Sequence, residues 1–334
     1  MVPVPDMQKR LKSDLARILD PIDPYLKKVD EQIRLKLSTG VPLIDESALY
    51  LFEGGGKKIR ASLVILSAGM RVEPSDEAID LAAAAEIVHC ASLIHDDIID
   101  QSLLRRGVPT VSRRWGSRVA VLVGDYMYTT ALKVAVGEGA YSLFPVLVAA
   151  TSDMVKGELY QLEYSGIDRI DKRHYFTIIE LKTARFMAAC MKMGGAKGGF
   201  SSEESDVLYG AGLNLGFAFQ IVDDALDVMD DSELTGKDGG NDFFEGKVTL
   251  PFLHLLEKAD SAERARLVEY SKSPSAEGWG YVRSRIRDEG GVEYALEAAR
   301  DYNRRFLEAM DAFPSSPYKD IILQLSKFLV ERNY

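Results

Sequence analysis

The sequence predicts an all-α protein organised as one domain, and three observations carry that expectation. Apolar residues recur at helical spacing through most of the 334 residues, and no segment alternates with period two. Two aspartate triads of identical spacing also sit inside apolar helical runs. The first is Asp96, Asp97 and Asp100 in IHDDIIDQSLLRRG, and the second is Asp223, Asp224 and Asp227 in FQIVDDALDV. Residues three and four apart share a helix face, so in each triad the last aspartate lies beside the first two. A lone DDxxD reads most simply as a solvated helix end. Two copies in core-like sequence do not, because carboxylates there repel one another and lose hydration. They read instead as two halves of one metal cage. Hard oxygen ligands suit Mg²⁺, which usually also holds substrate phosphates.

Composition narrows the function. With 46% hydrophobic and 28% charged residues the chain has ample material for one large core. A net charge of −10, from 41 basic and 51 acidic residues, argues against nucleic acid as a partner. Cys90 and Cys190 both stand in apolar helical context and read as buried packing thiols. The opening residues, MVPVPDMQKRLKSD, lack an apolar signal core. No run of about 18 apolar residues occurs, so the expected location is the cytoplasm.

Taken in order, Lys9–Ile18 and Tyr25–Leu37 have helical periodicity around the turn DPIDP, and residues 1–40 read as a peripheral helical pair. Leu43–Phe52 leads into EGGGKKIR, Glu53 to Arg60. Its glycines let the backbone approach a ligand, and the following helix, Ala61–Arg71, offers an N-terminus suited to anions. Lys57, Arg60 and Arg106 then make a pocket that holds a diphosphate without metal. On the helix Asp76–Asp100, His89 reads as a substrate contact and His95 as a support for the carboxylates. Val119–Val136 follows, with Gly124 as a close helix contact and Asp125 as a buried acid. Leu143–Ala150 and Met154–Leu162 continue the pattern, the second carrying Glu158 and Gln161.

Tyr175–Met193 contains Lys182 and Thr183. A lysine in an apolar helix usually snorkels to water, but between two acid triads Lys182 reads as facing phosphate. Glu203–Met229 carries the second triad. Asp230–Gly246 is polar and glycine-rich, with Lys237 inside it and Lys247 just beyond, and its length suits a loop that closes over a site. Pro251–Lys258, Ala262–Tyr270, Gly278–Asp288, Val292–Ala312 and Pro317–Arg332 complete the helices, with Gly290-Gly291 as a stop signal.

No Ser-His-Asp or Cys-His arrangement stands out, and GGGKKIR lacks the spacing of a Walker loop. What remains is a pair of carboxylate triads, a metal-independent basic pocket and an apolar helical interior. Metal held by both triads neutralises a departing diphosphate. The cation left behind sits in a dry interior, and the basic pocket positions a second diphosphate substrate near it. That chemistry is ionisation-driven transfer to carbon.

From about Gly54 to the C-terminus the chain resembles the trans-type isoprenyl diphosphate synthases, the polyprenyl synthetases, and is most like their long-chain, octaprenyl-type members. DDIIDQSLLRRG matches the first aspartate-rich motif and its arginine pair, and GGGKKIR with His89 matches the isopentenyl diphosphate site. KTA at Lys182–Ala184, FQIVDD at Phe219–Asp224 and GKDGGNDFFEGKVTLP at Gly236–Pro251 match the remaining signature. The resemblance implies the isoprenoid synthase fold, an antiparallel helical bundle around a central cavity, and Mg²⁺ with three ions per site. It implies that Asp96, Asp100 and Asp223 bind metal directly, with Asp97, Asp224 and Asp227 supporting the metals and their waters. Arg105, Lys182, Lys237 and Lys247 then contact the allylic diphosphate, and Lys57, Arg60, His89 and Arg106 hold isopentenyl diphosphate. Thr183 and Gln220 lie near the nascent carbocation. A homodimer is implied, and a product delivered to the membrane.

The resemblance also directs attention to the residues just before the first triad, where bulky side chains stop elongation. Here they are Ala91 and Ser92, with Val88 and Ala85 further back. At about 1.5 Å per residue this small-residue strip extends a tunnel for several isoprene units, with a floor near Leu132. The same residues also suit close helix packing. The expected product is medium to long, above fifteen carbons and near forty. A short-to-medium chain synthase, a terpene cyclase and a non-catalytic subunit of a heteromeric synthase are the alternatives.

Overall fold

The computed structural model describes residues 13–54, 56–105, 107–136, 141–167, 169–229 and 239–331. Helix α1 (residues 13–19) runs through a 3₁₀ turn at Asp20–Ile22 into α2 (Asp23–Leu37), with Pro24 in the first turn, where its missing N–H costs nothing. Leu26, Val29, Ile33 and Leu37 form a stripe at helical spacing, and all four are buried. This stripe packs α2 against α5 (Asp76–Ile99). The N-terminal pair is therefore part of the core and not peripheral. Its charged outer face hides a complete apolar inner one.

Helices α3 (Pro42–Glu53) and α4 (Ile59–Gly69) precede α5, which starts at Ser75, whose Oγ accepts from the Ala78 N–H. After α5 comes a ribbon the sequence does not announce. Strand β1 (Leu104–Arg105) pairs antiparallel with β2 (Val108–Pro109), Leu104 opposite Pro109. Two-residue strands are too short to show an alternating pattern. It is the only sheet among the described residues.

The chain continues through α6 (Val111–Trp115) and α7 (Ser117–Val136) to α8 (Phe144–Glu163). Helix α8 is continuous where two helices were expected. The polar break at Thr151 is absorbed because its Oγ1 donates back to the Leu147 carbonyl at 2.8 Å, one turn earlier. Helix α9 (Lys172–Ile179) opens with an Asp171–His174 capping box, then passes through a π turn at Glu180–Ala184 into α10 (Arg185–Lys197). Helix α11 (Ser202–Met229) carries the second triad. Helices α12 (Asn241–Phe244), α13 (Leu250–Lys258), α14 (Ser261–Lys272), α15 (Ala276–Asp288), α16 (Gly291–Met310) and α17 (Pro317–Glu331) follow.

Helix packs on helix throughout: α11 lies against α10 and α16, α5 against α7, and α4 against α10 and α5. The α10–α11 contact is unusually close because of Gly212 and Gly216. A Cβ on Gly216 would stand 2.4 Å from the Ala184 Cα, and one on Gly212 would stand 2.7 Å from the Ala188 Cα. The last carbonyls of α11, at Val228 and Met229, accept from Arg283 and Arg287 of α15 at 3.0 and 3.1 Å. Cys90 and Cys190 are buried, and burial pushes the Cys190 thiol up to about 12.

Helices α5 and α7 are long and apolar enough to cross a membrane by length and composition. Of the most apolar window, 78% is buried in α5 but only 44% in α7. Helix α5 is therefore a core helix, whereas α7 keeps an outward apolar face that includes Val121 and Leu122.

Candidate active site

Helix α5 stops just after its triad begins, because Gln101 adopts a left-handed φ of 52° that a β-carbon disfavours. The reversal sends the chain into the β1–β2 ribbon and brings Arg105 back over the helix end. Its Nε donates to Asp97 Oδ1 at 2.8 Å. Asp97 is only 1% exposed, and its Oδ2 is buried without a hydrogen-bond partner. Burial pushes its carboxyl upward, and Arg105 pulls it back. Asp100 Oδ2 accepts from Lys247 Nζ at 3.1 Å, and that ammonium also meets Glu245 at 2.6 Å. Asp96 lies on the cavity wall, where burial pushes its carboxyl up to about 6 against the attraction of Lys182.

The second triad is held differently. Asp224 Oδ2 accepts from the Tyr175 hydroxyl at 2.6 Å, and its Oδ1 accepts from Gln220 Nε2 at 2.8 Å. Gln220 Oε1 in turn accepts from Thr183 Oγ1 at 2.8 Å. Burial pushes the Asp224 carboxyl up to about 7, and the Tyr175 and Gln220 donors oppose that rise. Asp227 accepts the backbone N–H groups of Asn241 and Asp242, both at 3.2 Å, and so anchors the start of α12. Asp223 is exposed to the cavity.

Both triads open on one cavity of about 1560 Å³, lined by residues from Leu15 to Phe328. Asp96, Asp100, Asp223 and Asp224 lie on its wall with Lys57, Arg60, His89, Ser92, Arg105, Lys182, Thr183, Gln220 and Lys247. Lys182 and Thr183 come from the π turn, whose extra residue rotates the helix face locally. Gly157 makes room for Lys182, since a Cβ there would stand 2.7 Å from the lysine Cγ. Lys182 Nζ pairs with Glu158 and donates to Gln161 Oε1 at 3.1 Å. Arg60 lies 5.8 Å over the Phe186 ring, its Nε is buried without a hydrogen-bond partner, and burial holds its guanidinium below the usual value.

Several expectations need correction. At the N-terminus of α4 one amide is already engaged, because Glu86 Oε1 accepts from the Ala61 N–H at 3.0 Å. His95 turns to α7 and not to the triad, with Nε2 3.3 Å from the Val121 carbonyl and 3.5 Å from Asp125. Gly124 is a close contact as expected, but Asp125 is exposed. Asp97 and Asp227 are off the cavity wall, held by Arg105 and by backbone amides. Ser92 is on the wall, whereas Ala91, Val88 and Ala85 have no exposed surface and pack in the core. Arg106 and Lys237 lie outside the described residues.

The residues that sequence reasoning missed are those acting at long range. Tyr175 meets Asp224 across 49 positions, and Glu86 meets Ala61 across 25. Asp242 and Tyr128 also line the cavity. No local pattern marks any of them.

The donor set suits a hard divalent cation, because it is built from carboxylates and both triads present some of theirs to the cavity. Among the described residues no three His, Cys, Asp or Glu close into a protein-only metal cage. The two triads therefore share one cavity without a protein-only cluster among the described residues. That geometry fits Mg²⁺, which keeps waters and shares its coordination with phosphate, better than a fully enclosed ion.

The family model for polyprenyl synthetase matches residues 41–278. An octaprenyl diphosphate synthase of Haemophilus influenzae is 31% identical over 329 residues, spanning 98% of this chain and 100% of the relative. A short chain isoprenyl diphosphate synthase of Methanothermobacter thermautotrophicus is 32% identical, spanning 96% and 100%. Among solved structures, a polyprenyl synthase from Caulobacter crescentus complexed with calcium and isoprenyl diphosphate superposes with a TM-score of 0.89. It is 31% identical over 95% of this chain and 97% of that one. The all-α architecture is thus the isoprenoid synthase fold, and the chain belongs to the polyprenyl synthetase family of prenyltransferases.

Proposed function

We propose that the protein condenses isopentenyl diphosphate with an allylic diphosphate to give a medium-to-long all-trans polyprenyl diphosphate. The observation that carries this reading is a single cavity whose wall carries aspartates of both triads together with Lys57, Arg60, His89, Arg105, Lys182 and Lys247. Lys57, Arg60, His89 and Arg106 hold isopentenyl diphosphate. Arg105, Lys182, Lys237 and Lys247 meet the allylic diphosphate. Lys182 and Lys247 rest on Glu158, Asp100 and Glu245, and each exchanges a carboxylate for a phosphate oxygen as substrate enters. Asp96, Asp100 and Asp223 hold Mg²⁺, three ions per site, which supplies charge neutralisation for the leaving diphosphate. The allylic C–O bond breaks, a new C–C bond forms, and a proton leaves to the released diphosphate. The Thr183 and Gln220 oxygens face the transient carbocation, and the apolar wall excludes water from it.

The small side chain of Ser92 supports a product above fifteen carbons, near forty. Product length is measured with purified protein, Mg²⁺, labelled isopentenyl diphosphate and farnesyl diphosphate. A ladder beyond twenty carbons is expected, and products stopping at twenty would assign the chain to the shorter class. Ser92→Phe shortens the ladder. Ala91→Phe acts instead through overpacking, at about 1–3 kcal/mol of stability.

The chain works as one domain, since the cavity draws its wall from Leu15 to Phe328, and as a homodimer. Val121 and Leu122 of α7, with Val155, Leu159 and Leu162 of α8, give an exposed apolar surface for a second copy. Sedimentation tests this, and Leu122→Glu should give monomer. The enzyme acts in the cytoplasm and delivers its product to the membrane.

A further inference from the structure

We infer that Asp224 and Tyr175 are positioning residues that fix which face of the Gln220 amide looks into the cavity. The inference rests on the prenyltransfer reading above, in which Gln220 meets the carbocation.

The argument is one of donors and acceptors. An ionised carboxylate only accepts, so both groups facing Asp224 must donate. One is the Tyr175 hydroxyl at 2.6 Å, and the other is necessarily the NH₂ end of Gln220 at 2.8 Å. The Gln220 carbonyl is thereby turned the opposite way, where Thr183 Oγ1 donates to it at 2.8 Å. Without this anchor a glutamine amide gains little from one orientation over the other. The wrong one would present N–H hydrogens, and with them positive charge, towards a cation. With the anchor, the carbonyl oxygen is held in place and keeps one lone pair that Thr183 does not use.

The backbone makes the chain of contacts possible. Gly216 lies one turn before Gln220 and sits against Ala184, the neighbour of Thr183, at a distance that admits no Cβ. The α10–α11 approach therefore brings Thr183 and Gln220 within reach. Tyr175, one element earlier, is 3% exposed and closes the far side of Asp224. Both Asp224 oxygens are engaged by protein donors, which gives the carboxylate the part of orienting Gln220.

The test is Asp224→Asn, assayed beside wild type in the same buffer. The amide introduced by this change both donates and accepts, so it no longer holds Gln220 in one orientation. The expected result is a fall in kcat of about tenfold or more. KM for both diphosphates, the Mg²⁺ concentration for half-maximal rate and calorimetric binding of a non-ionisable allylic diphosphate analogue should stay within about twofold. A raised Mg²⁺ requirement with kcat restored at saturation would make Asp224 a metal ligand and overturn the inference. Should Asp224→Asn not fold, Tyr175→Phe decides. It keeps the ring and removes one anchor, so kcat should fall about threefold with KM unmoved, and an unchanged kcat would overturn the inference. Wild-type turnover is measured first, so failure of the prenyltransfer reading would show before any variant is made.

Discussion

Asp97 and Asp224 hold the same place in two identically spaced triads, yet Asp97 is paired with a guanidinium and Asp224 with a phenol and an amide. The contrast extends along both motifs. Asp100 meets the Lys247 ammonium, whereas Asp227 accepts two backbone N–H groups. The first triad is thus tied to cations from elsewhere in the chain. In the second, Asp224 and Asp227 are clamped by neutral donors that fix their geometry. One motif serves as two different electrostatic devices, and the difference comes from what packs against it.

The largest expected effect tests whether both halves are needed. Asp96→Ala and Asp223→Ala should each lower kcat by about a thousandfold or more. Melting temperature should hold or rise, since Asp223 is exposed and Asp96 is a poorly hydrated acid. Near-normal turnover in either variant would break the two-triad picture.

Next comes the pairing of the first triad. Arg105→Leu strands the buried Asp97 carboxylate and should cost about 2–4 kcal/mol in urea unfolding. That is below the cost for a fully enclosed pair, because Arg105 itself is 26% exposed. Lys247→Met should cost less, about 1–2 kcal/mol, because Asp100 is 18% exposed where Asp97 is 1%, so water solvates more of the carboxylate left behind. Equal costs for the two variants would erase the distinction drawn within the triad.

Acidity gives a third test. The Asp96 carboxyl rises from 3.8 to about 6 on folding, so the folded chain binds the extra proton between those values. Its contribution to stability is full below about pH 4 and lost as pH rises through about 6, by at most about 3 kcal/mol. Comparing wild type with Asp96→Asn across this window in metal-free buffer should show wild-type stability falling with rising pH relative to the variant. The smallest effect concerns the neutral clamp. Asp227→Ala removes the acceptor for Asn241 and Asp242 and should cost about 1 kcal/mol, with faster hydrogen exchange confined to α12.

Much of the fold was legible because helical periodicity is local. The long helices of the two triads were expected at Asp76–Asp100 and Glu203–Met229 and are found at Asp76–Ile99 and Ser202–Met229. The departures have physical causes. Thr151 looked like a break but satisfies its hydroxyl within its own helix. The β1–β2 ribbon was too short to register, and α2 looked peripheral because its charges are dense although its buried stripe is complete.

The sequence alone determined the chemistry on offer: two sets of hard oxygen ligands, two sets of cations and an apolar interior, each a matter of residue type and spacing. Only the tertiary structure decided which of those groups face the cavity. It placed Ser92 on the wall and Ala91 in the core, and turned His95 towards α7. It paired Glu86 with the Ala61 N–H in the first turn of α4 and joined Tyr175, Asp224, Gln220 and Thr183 into one hydrogen-bonded chain. Apart from the Gln220–Asp224 bond within one helical turn, those outcomes depend on contacts between residues 25 to 49 positions apart or on small rotations of a helix face, and neither leaves a mark in local sequence.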